Sequence, residues 1–271
     1  MRVLLQLCSM IALLGLPMAC SAVPGTSRDR LDLLPRSTVD AMGREAFADI
    51  RASGKVIDQG RQVQRVRRVA RRVIEAGKRR YPGAGLEGYN WEVVLIDDES
   101  ANAFALPGGR IGVHTGLLPV AQNDDGLAII LGHEVAHVLA GHSGERLSQH
   151  LLIVGGTVLG AMAIGDDDET TREVTLAAMG IGTQLGIVLP YSRLHESEAD
   201  ELGLFIAAEA GYDPDQAIGL WHRMARESAG RDIEFLSTHP DPHHRIEHLR
   251  ALLPEARSIR DQAHRNGGVV R

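Results

Sequence analysis

The 271-residue chain reads as an α+β domain, mostly helical, with a small β-sheet (an edge strand and a hairpin) beside one central helix. Three patterns predict this class. Apolar residues recur at steps of three and four within 43–80 and within 123–141, the spacing of one helix face. Strand-like composition is confined to Trp91–Ile96 and to the two segments flanking Pro107-Gly108-Gly109. Finally, 44% apolar and 24% charged residues make an ordinary globular chain with room for a full core, which excludes disordered and collagen-like classes.

The first element is an address. Arg2 precedes the apolar run Val3–Leu16, which is of signal-peptide length and shorter than the ~20 residues of a membrane span. Leu16-Pro17-Met18-Ala19-Cys20 resembles a bacterial lipobox, with Cys20 as the lipidated residue of a chain cleaved after residue 19. Ordinary cleavage after Ala22 is the other reading. Either way the expected location is the periplasm, anchored to the outer membrane as a lipoprotein or soluble. Cys8 and Cys20 are the two cysteines, so no disulfide framework and no cysteine-ligated zinc site is available. A net charge of −6 argues against a basic nucleic-acid binder.

Residues 20–42, rich in Pro, Ser, Arg and Asp, read as a tether, 43–255 as the domain, and 256–271 as a C-terminal tail. Residues 43–80 hold 12 Lys/Arg against 4 Asp/Glu, with Val56, Gly60, Val63, Val66, Ala70, Val73 and Ile74 along one apolar stripe. This predicts a single amphipathic helix ending at Tyr81-Pro82-Gly83, its basic face either solvated or set against anionic lipid. A strand over 91–96 and a hairpin over 102–113 follow. Asn123-Asp124-Asp125 offers N-cap chemistry for a helix running to about Gly141. Two glycine-rich apolar stretches between 148 and 190 are too short to span a bilayer, and they either cap the functional cleft or pack in the core. Helices near 192–210, 214–228 and 242–252 complete the chain.

The chemistry sits in His133-Glu134-Val135-Ala136-His137. Residues four apart share a helix face, so both histidines can offer ring nitrogens to one ion. Glu134, one step round, lies beside that ion and can take a proton from water that zinc acidifies. Glu134 also falls inside the apolar sector of Leu127, Ile130, Leu131, Val135 and Val138, and a buried carboxylate needs a partner or a task. A third ligand is required. His142 turns away from the His133–His137 face, and Ser143 stands where a metzincin carries its third histidine. Glu196-Ser197-Glu198-Ala199-Asp200 supplies carboxylates instead, and helical periodicity leaves Glu196 and Glu198 both open.

Asn102-Ala103-Phe104, Pro107-Gly108-Gly109, Gly116-Leu117-Leu118, the His133–His137 motif, Glu196 to Asp200, and His239-Pro240 with Arg245 follow one another in order. Over about residues 45–255 this order resembles metallopeptidase family forty-eight, the HtpX and CAAX prenyl protease family, and in layout its exported bacterial branch. The resemblance implies a gluzincin-type zinc peptidase domain with one zinc ion per chain, held by His133, His137 and Glu196. It further implies Glu134 as the catalytic base and His239 beside the metal, stabilising the oxyanion or filling the open position. Asp200 would orient a ligand histidine, Arg245 would support the site, and Asn102, Ala103, Phe104 and Ala105 would form the edge strand that pairs with substrate. Unfolded or misfolded envelope polypeptides are the implied partners, with a lipid-anchored membrane and no nucleic acid. The rival class is a chaperone-like or binding module that keeps zinc without significant proteolysis. Structural zinc sites usually have four protein ligands and no poised glutamate, which weighs against it.

Overall fold

The computed structural model describes residues 20–152, 193–227, 234–239 and 242–267. The expected signal segment, residues 1–19, and nearly all of the 148–190 stretch lie outside the described residues. The chain opens with β1 (Cys20–Ala22) and β2 (Asp29–Leu31), an antiparallel pair with Cys20 opposite Leu31. Then come α1 (Arg36–Ala52), β3 (Val56–Ile57), α2 (Arg61–Arg80), β4 (Glu92–Ile96), β5 (Ala103–Leu106) and β6 (Arg110–His114). Helices α3 (Leu117–Ala121), α4 (Asp124–Ala140) and α5 (142–152) follow. Beyond the undescribed stretch are α6 (Arg193–Glu209), α7 (Gln216–Glu227), α8 (Glu234–Thr238) and α9 (Pro242–Arg265). The α+β class holds.

The larger sheet has the order β3-β4-β6-β5, parallel between β4 and β6 and antiparallel elsewhere, so β5 is an edge strand among the described residues. One face, with Ala103, Ala105, Ile111 and Val113, joins the main core around α4; the other buries Phe47 of α1 against Val94, Ile96 and Leu106. Gly108 and Gly109 both have φ near +80°, which closes the β5–β6 turn in a conformation that favours glycine.

Helix α4 is the hub, buried continuously from Gly126 to Ala140. Its start is set by Asn123, whose Oδ1 accepts the Gly126 N–H at 2.8 Å, and its end by Gly141 in the left-handed region. The boundaries expected from the sequence therefore stand, but the apolar sector does not: a helix this hydrophobic on every side is enclosed by α2, α3, α6, α7 and β5. The closest approach is to α6. A Cβ on Gly132 would lie 2.5 Å from the Gly203 carbonyl oxygen, and one on Gly203 would lie 2.6 Å from the His133 nitrogen. Two facing glycines thus let the backbones of α4 and α6 touch beside His133.

Three expectations are corrected. The single helix over 43–80 is two, because Gly54 at φ 75° and Gly60 at φ 117° frame a break in which Val56–Ile57 pairs with β4. Residues 20–42 form a hairpin and the first turns of α1, not a bare tether, since Val39, Gly43 and Phe47 make a buried stripe at four-residue spacing. The boundary at 255 falls inside α9, which runs past Pro254 because Leu249, Leu253, Ala256, Ile259 and Ala263 keep one face buried. That burial, about 25 cal/mol per Å², offsets the roughly 3 kcal/mol that an interior proline costs.

Candidate metal centre

Helix α4 presents His133 and His137, one turn apart, and α6 presents Glu196 about two turns before the Gly132–Gly203 contact. The fourth residue, His239, follows α8, where its N–H donates to the Phe235 carbonyl at 2.8 Å and its ring stacks on Phe235 at 4.3 Å. All four are buried, and one donor atom from each lies within 4.8 Å of the others. The Nε2 atoms of His133 and His137 are 2.9 Å apart, and His239 Nδ1 is 3.2 Å from the first. Glu196 reaches His239 Nδ1 at 3.0 Å, His133 Nε2 at 3.4 Å and His137 Nε2 at 3.6 Å.

Nitrogens facing one another at such distances, with a carboxylate among them, suit a shared cation, and imidazole with carboxylate is a donor set that zinc accepts. Charge agrees. Burial and the Arg245 charge lower the pKa of His133, but bonds to Asp200 and Glu196 outweigh them and raise it to about 9. Without an ion, the centre therefore keeps a proton where a cation fits. His137 is pushed well down by burial and by the neighbouring His133, His142 and His239, and burial takes His239 to about 4. Glu196 is held well below the usual carboxylate range by His239, Arg245 and His133 despite its burial.

Glu134 stands apart from this donor set. Its Oε1 is buried with no hydrogen-bond partner among the described residues and lies 3.6 Å from His239 Nε2. Burial raises its pKa to about 8, against the pull of His133 and the nearby Ala105 backbone of β5, which lower it. An unsatisfied buried carboxylate oxygen is costly and marks a place where another group belongs.

Asp200, one turn after Glu196, has Oδ1 at 3.1 Å from His133 Nδ1. Arg245 grips that carboxylate through Nε at 2.7 Å and Nη2 at 2.5 Å, reaches Glu196 through Nη1 at 2.9 Å, and lies flat over Trp221. Asp200 and Arg245 thus lie against the donor set. Of the pair left open by periodicity, Glu196 joins the donors, whereas Glu198 points to His142 Nε2 at 2.8 Å and to Arg28. His142 touches His137, Nδ1 to Nδ1 at 2.8 Å. His142 thus stays outside the donor set, as its turn away from the His133–His137 face predicts, and Arg28 belongs to no motif. The five-residue step from His137 was a visible signal for the first, and no local signal exists for the second.

Asn102, Ala103, Phe104 and Ala105 lie at or in the edge strand, as expected, with Ala103 and Ala105 turned into the core and Phe104 half-buried over Gly112. Asn102 Oδ1 is buried without a hydrogen-bond partner among the described residues. Cys20 is exposed at the start of β1. No helix among the described residues is long and apolar enough to cross a membrane.

A histidine pair on one buried helix, a glutamate from the helix crossing it and a buried glutamate alongside with one oxygen free of hydrogen bonds define a metallopeptidase of the helical kind. The particular family follows from comparison: a model of Peptidase family M48 matches residues 61–253, and the chain belongs to that family. It is 38% identical over 191 residues to the mitochondrial metalloendopeptidase OMA1 of Saccharomyces cerevisiae, covering 66% of this chain and 51% of that protein. The human mitochondrial metalloendopeptidase OMA1 is 31% identical over 251 residues, 88% of this chain and 47% of that protein. A putative beta-barrel assembly-enhancing protease of Vibrio cholerae is 31% identical over 161 residues, 56% of this chain and 32% of that protein. The chain spans about half the length of the OMA1 relatives it matches.

Proposed function

We propose that this chain is a zinc-dependent endopeptidase of a bacterial cell envelope, cutting unfolded or misfolded polypeptides. The observation that carries the reading is Glu134, a buried carboxylate with an unpaired oxygen beside three histidines and a glutamate. His133, His137 and Glu196 would hold the zinc ion, one per chain, with His239 as the fourth neighbour. Bound there, zinc supplies Lewis acidity, which acidifies water and polarises a carbonyl.

Everything else falls to the chain. Edge strand β5 can pair main chain to main chain with an extended polypeptide, recognition that depends little on sequence. Glu134, buried on α4 beside the donor set, takes the proton of the attacking water and returns it to the leaving nitrogen. His239 must leave the donor set for substrate to enter, and its ring can then donate to the developing oxyanion. Asp200 and Arg245 keep the His133 ring in register.

The envelope assignment is supported by the leader-like residues 1–19, the exposed Cys20 as lipid attachment point and the name of the Vibrio cholerae relative. A soluble periplasmic form is the alternative. Casein cleavage by wild type and Glu134→Gln at equal zinc content tests the activity, with a loss of roughly 10²- to 10⁴-fold expected for loss of a general base. Equal rates would instead favour a zinc-containing chaperone-like module. The intact mass of the mature chain, with or without acyl groups on Cys20, tests the anchor.

A further inference from the structure

We propose that Arg28, Glu198 and His142 form a positioning relay that sets the tautomer of His137, which makes the N-terminal hairpin β1–β2 a working part of the metal centre. The inference rests on the metal reading above and extends it to Arg28 and His142, which lie outside every motif. Arg28 forks onto two carboxylates: Nε and Nη2 meet Glu198 at 3.1 and 2.8 Å, and Nη1 meets Glu145 at 2.8 Å. Glu198 Oε2 also meets His142 Nε2 at 2.8 Å, and His142 Nδ1 meets His137 Nδ1 at 2.8 Å. His142 and His137 are buried, and His142 is further fixed by stacking on His195 at 4.3 Å, itself bonded to Glu145 at 3.0 Å.

Donor and acceptor chemistry gives this chain one consistent direction. The Arg28 fork keeps Glu198 ionised, and an ionised carboxylate only accepts. His142 must therefore donate from Nε2. A singly protonated imidazole that donates at Nε2 has its lone pair at Nδ1, so His142 accepts there across the 2.8 Å contact. His137 then donates from Nδ1, which leaves the lone pair on Nε2, the atom 2.9 Å from His133 Nε2 in the donor cluster. A ligand histidine whose other nitrogen is fixed this way binds metal better, and breaking such a contact typically costs roughly 10- to 100-fold in affinity.

The test uses the full chain, stripped of metal and titrated with zinc against a colorimetric chelator, then with cobalt(II) followed by visible absorption. Arg28→Ala and the near-isosteric Glu198→Gln are expected to bind zinc roughly 10- to 100-fold more weakly and to shift the cobalt bands. In Glu198→Gln the new amide can donate to His142 Nε2, which turns the relay around and puts a proton on His137 Nε2. Arg28→Lys, which keeps the charge but loses the fork, should fall between Arg28→Ala and wild type. A wild-type zinc constant and cobalt spectrum in Glu198→Gln would overturn the relay, even if Arg28→Ala fails to fold. The same result in Arg28→Ala, with only a lower melting point of the metal-free protein, reduces Arg28 to a hairpin clip. A wild-type chain that binds no zinc removes the metal reading and the relay together, whereas variants equal to a zinc-binding wild type remove the relay alone.

Discussion

Each of the two α4 histidines is steadied by a carboxylate that an arginine grips, but the two arms are built differently. The inner arm runs from Arg245 through Asp200 to His133 without an intermediary. The outer arm runs from Arg28 through Glu198 and then through an extra histidine, His142, before it meets His137. Depth differs as well: the Arg245 side chain is 2% exposed, the Arg28 side chain 19%. Water can compensate for a loss at Arg28 and cannot at Arg245. The inner arm is therefore bound up with the stability of the core, whereas the outer arm mainly tunes the ligand.

The largest expected effect comes from breaking the inner arm. Asp200→Asn leaves Arg245 short of a charge partner in the core and should destabilise the metal-free protein by about 3 kcal/mol or more. Chemical denaturation checks this, and a change under about 1 kcal/mol would make the arms energetically alike. Next is Gly203→Ala, which strikes both arms by prising α6 from α4. Overpacking there should cost about 1–3 kcal/mol and weaken zinc binding in parallel. Gly219→Ala in α7, where the added methyl meets only the end of the Arg223 side chain, is the matched control and should be neutral or stabilising.

Proton release separates the arms by charge rather than by packing. His133 holds its proton up to about pH 9, whereas His137 is already neutral at pH 7. Zinc uptake at pH 7 should therefore displace at least one proton, from the inner arm, and affinity should climb as pH rises towards 9. Calorimetry in buffers of different ionisation enthalpy counts that proton, and a count of zero would contradict the assignment. The smallest effect is acid loosening of the outer arm. Contacts with His142, His195 and Arg28 outweigh burial and draw Glu198 and Glu145 down to about 2 from an ordinary 4.5. Folded values below unfolded ones mean stabilisation present above about pH 4.5 and lost as pH falls towards 2. Hydrogen exchange of the β1–β2 amides should rise across that window before the rest of the domain opens.

Much of the centre was legible in residue order. A four-residue step puts His133 and His137 on one face whatever surrounds them, and capping chemistry at Asn123 and Gly141 bounds their helix. The β5–β6 hairpin was equally local, since Pro107-Gly108-Gly109 must turn. Local patterns failed where long-range pairing decided the outcome. Val56 continues a helical stripe in the sequence, yet β4 offers it and Ile57 a strand partner. The helix expected over 242–252 runs on through Pro254 because the apolar face beyond it is buried.

The amino-acid sequence by itself determined the candidates: two histidines and a glutamate on one helix with the chemistry to hold a cation and move a proton, and the helix that carries them. Only the tertiary structure decided that Glu196 and not Glu198 joins them, that His239 arrives from α8, and that Arg28 reaches across to Glu198. Those choices depend on the angle and closeness at which α4 and α6 cross, and that is set by two glycines 71 residues apart whose contact leaves no trace in either local pattern.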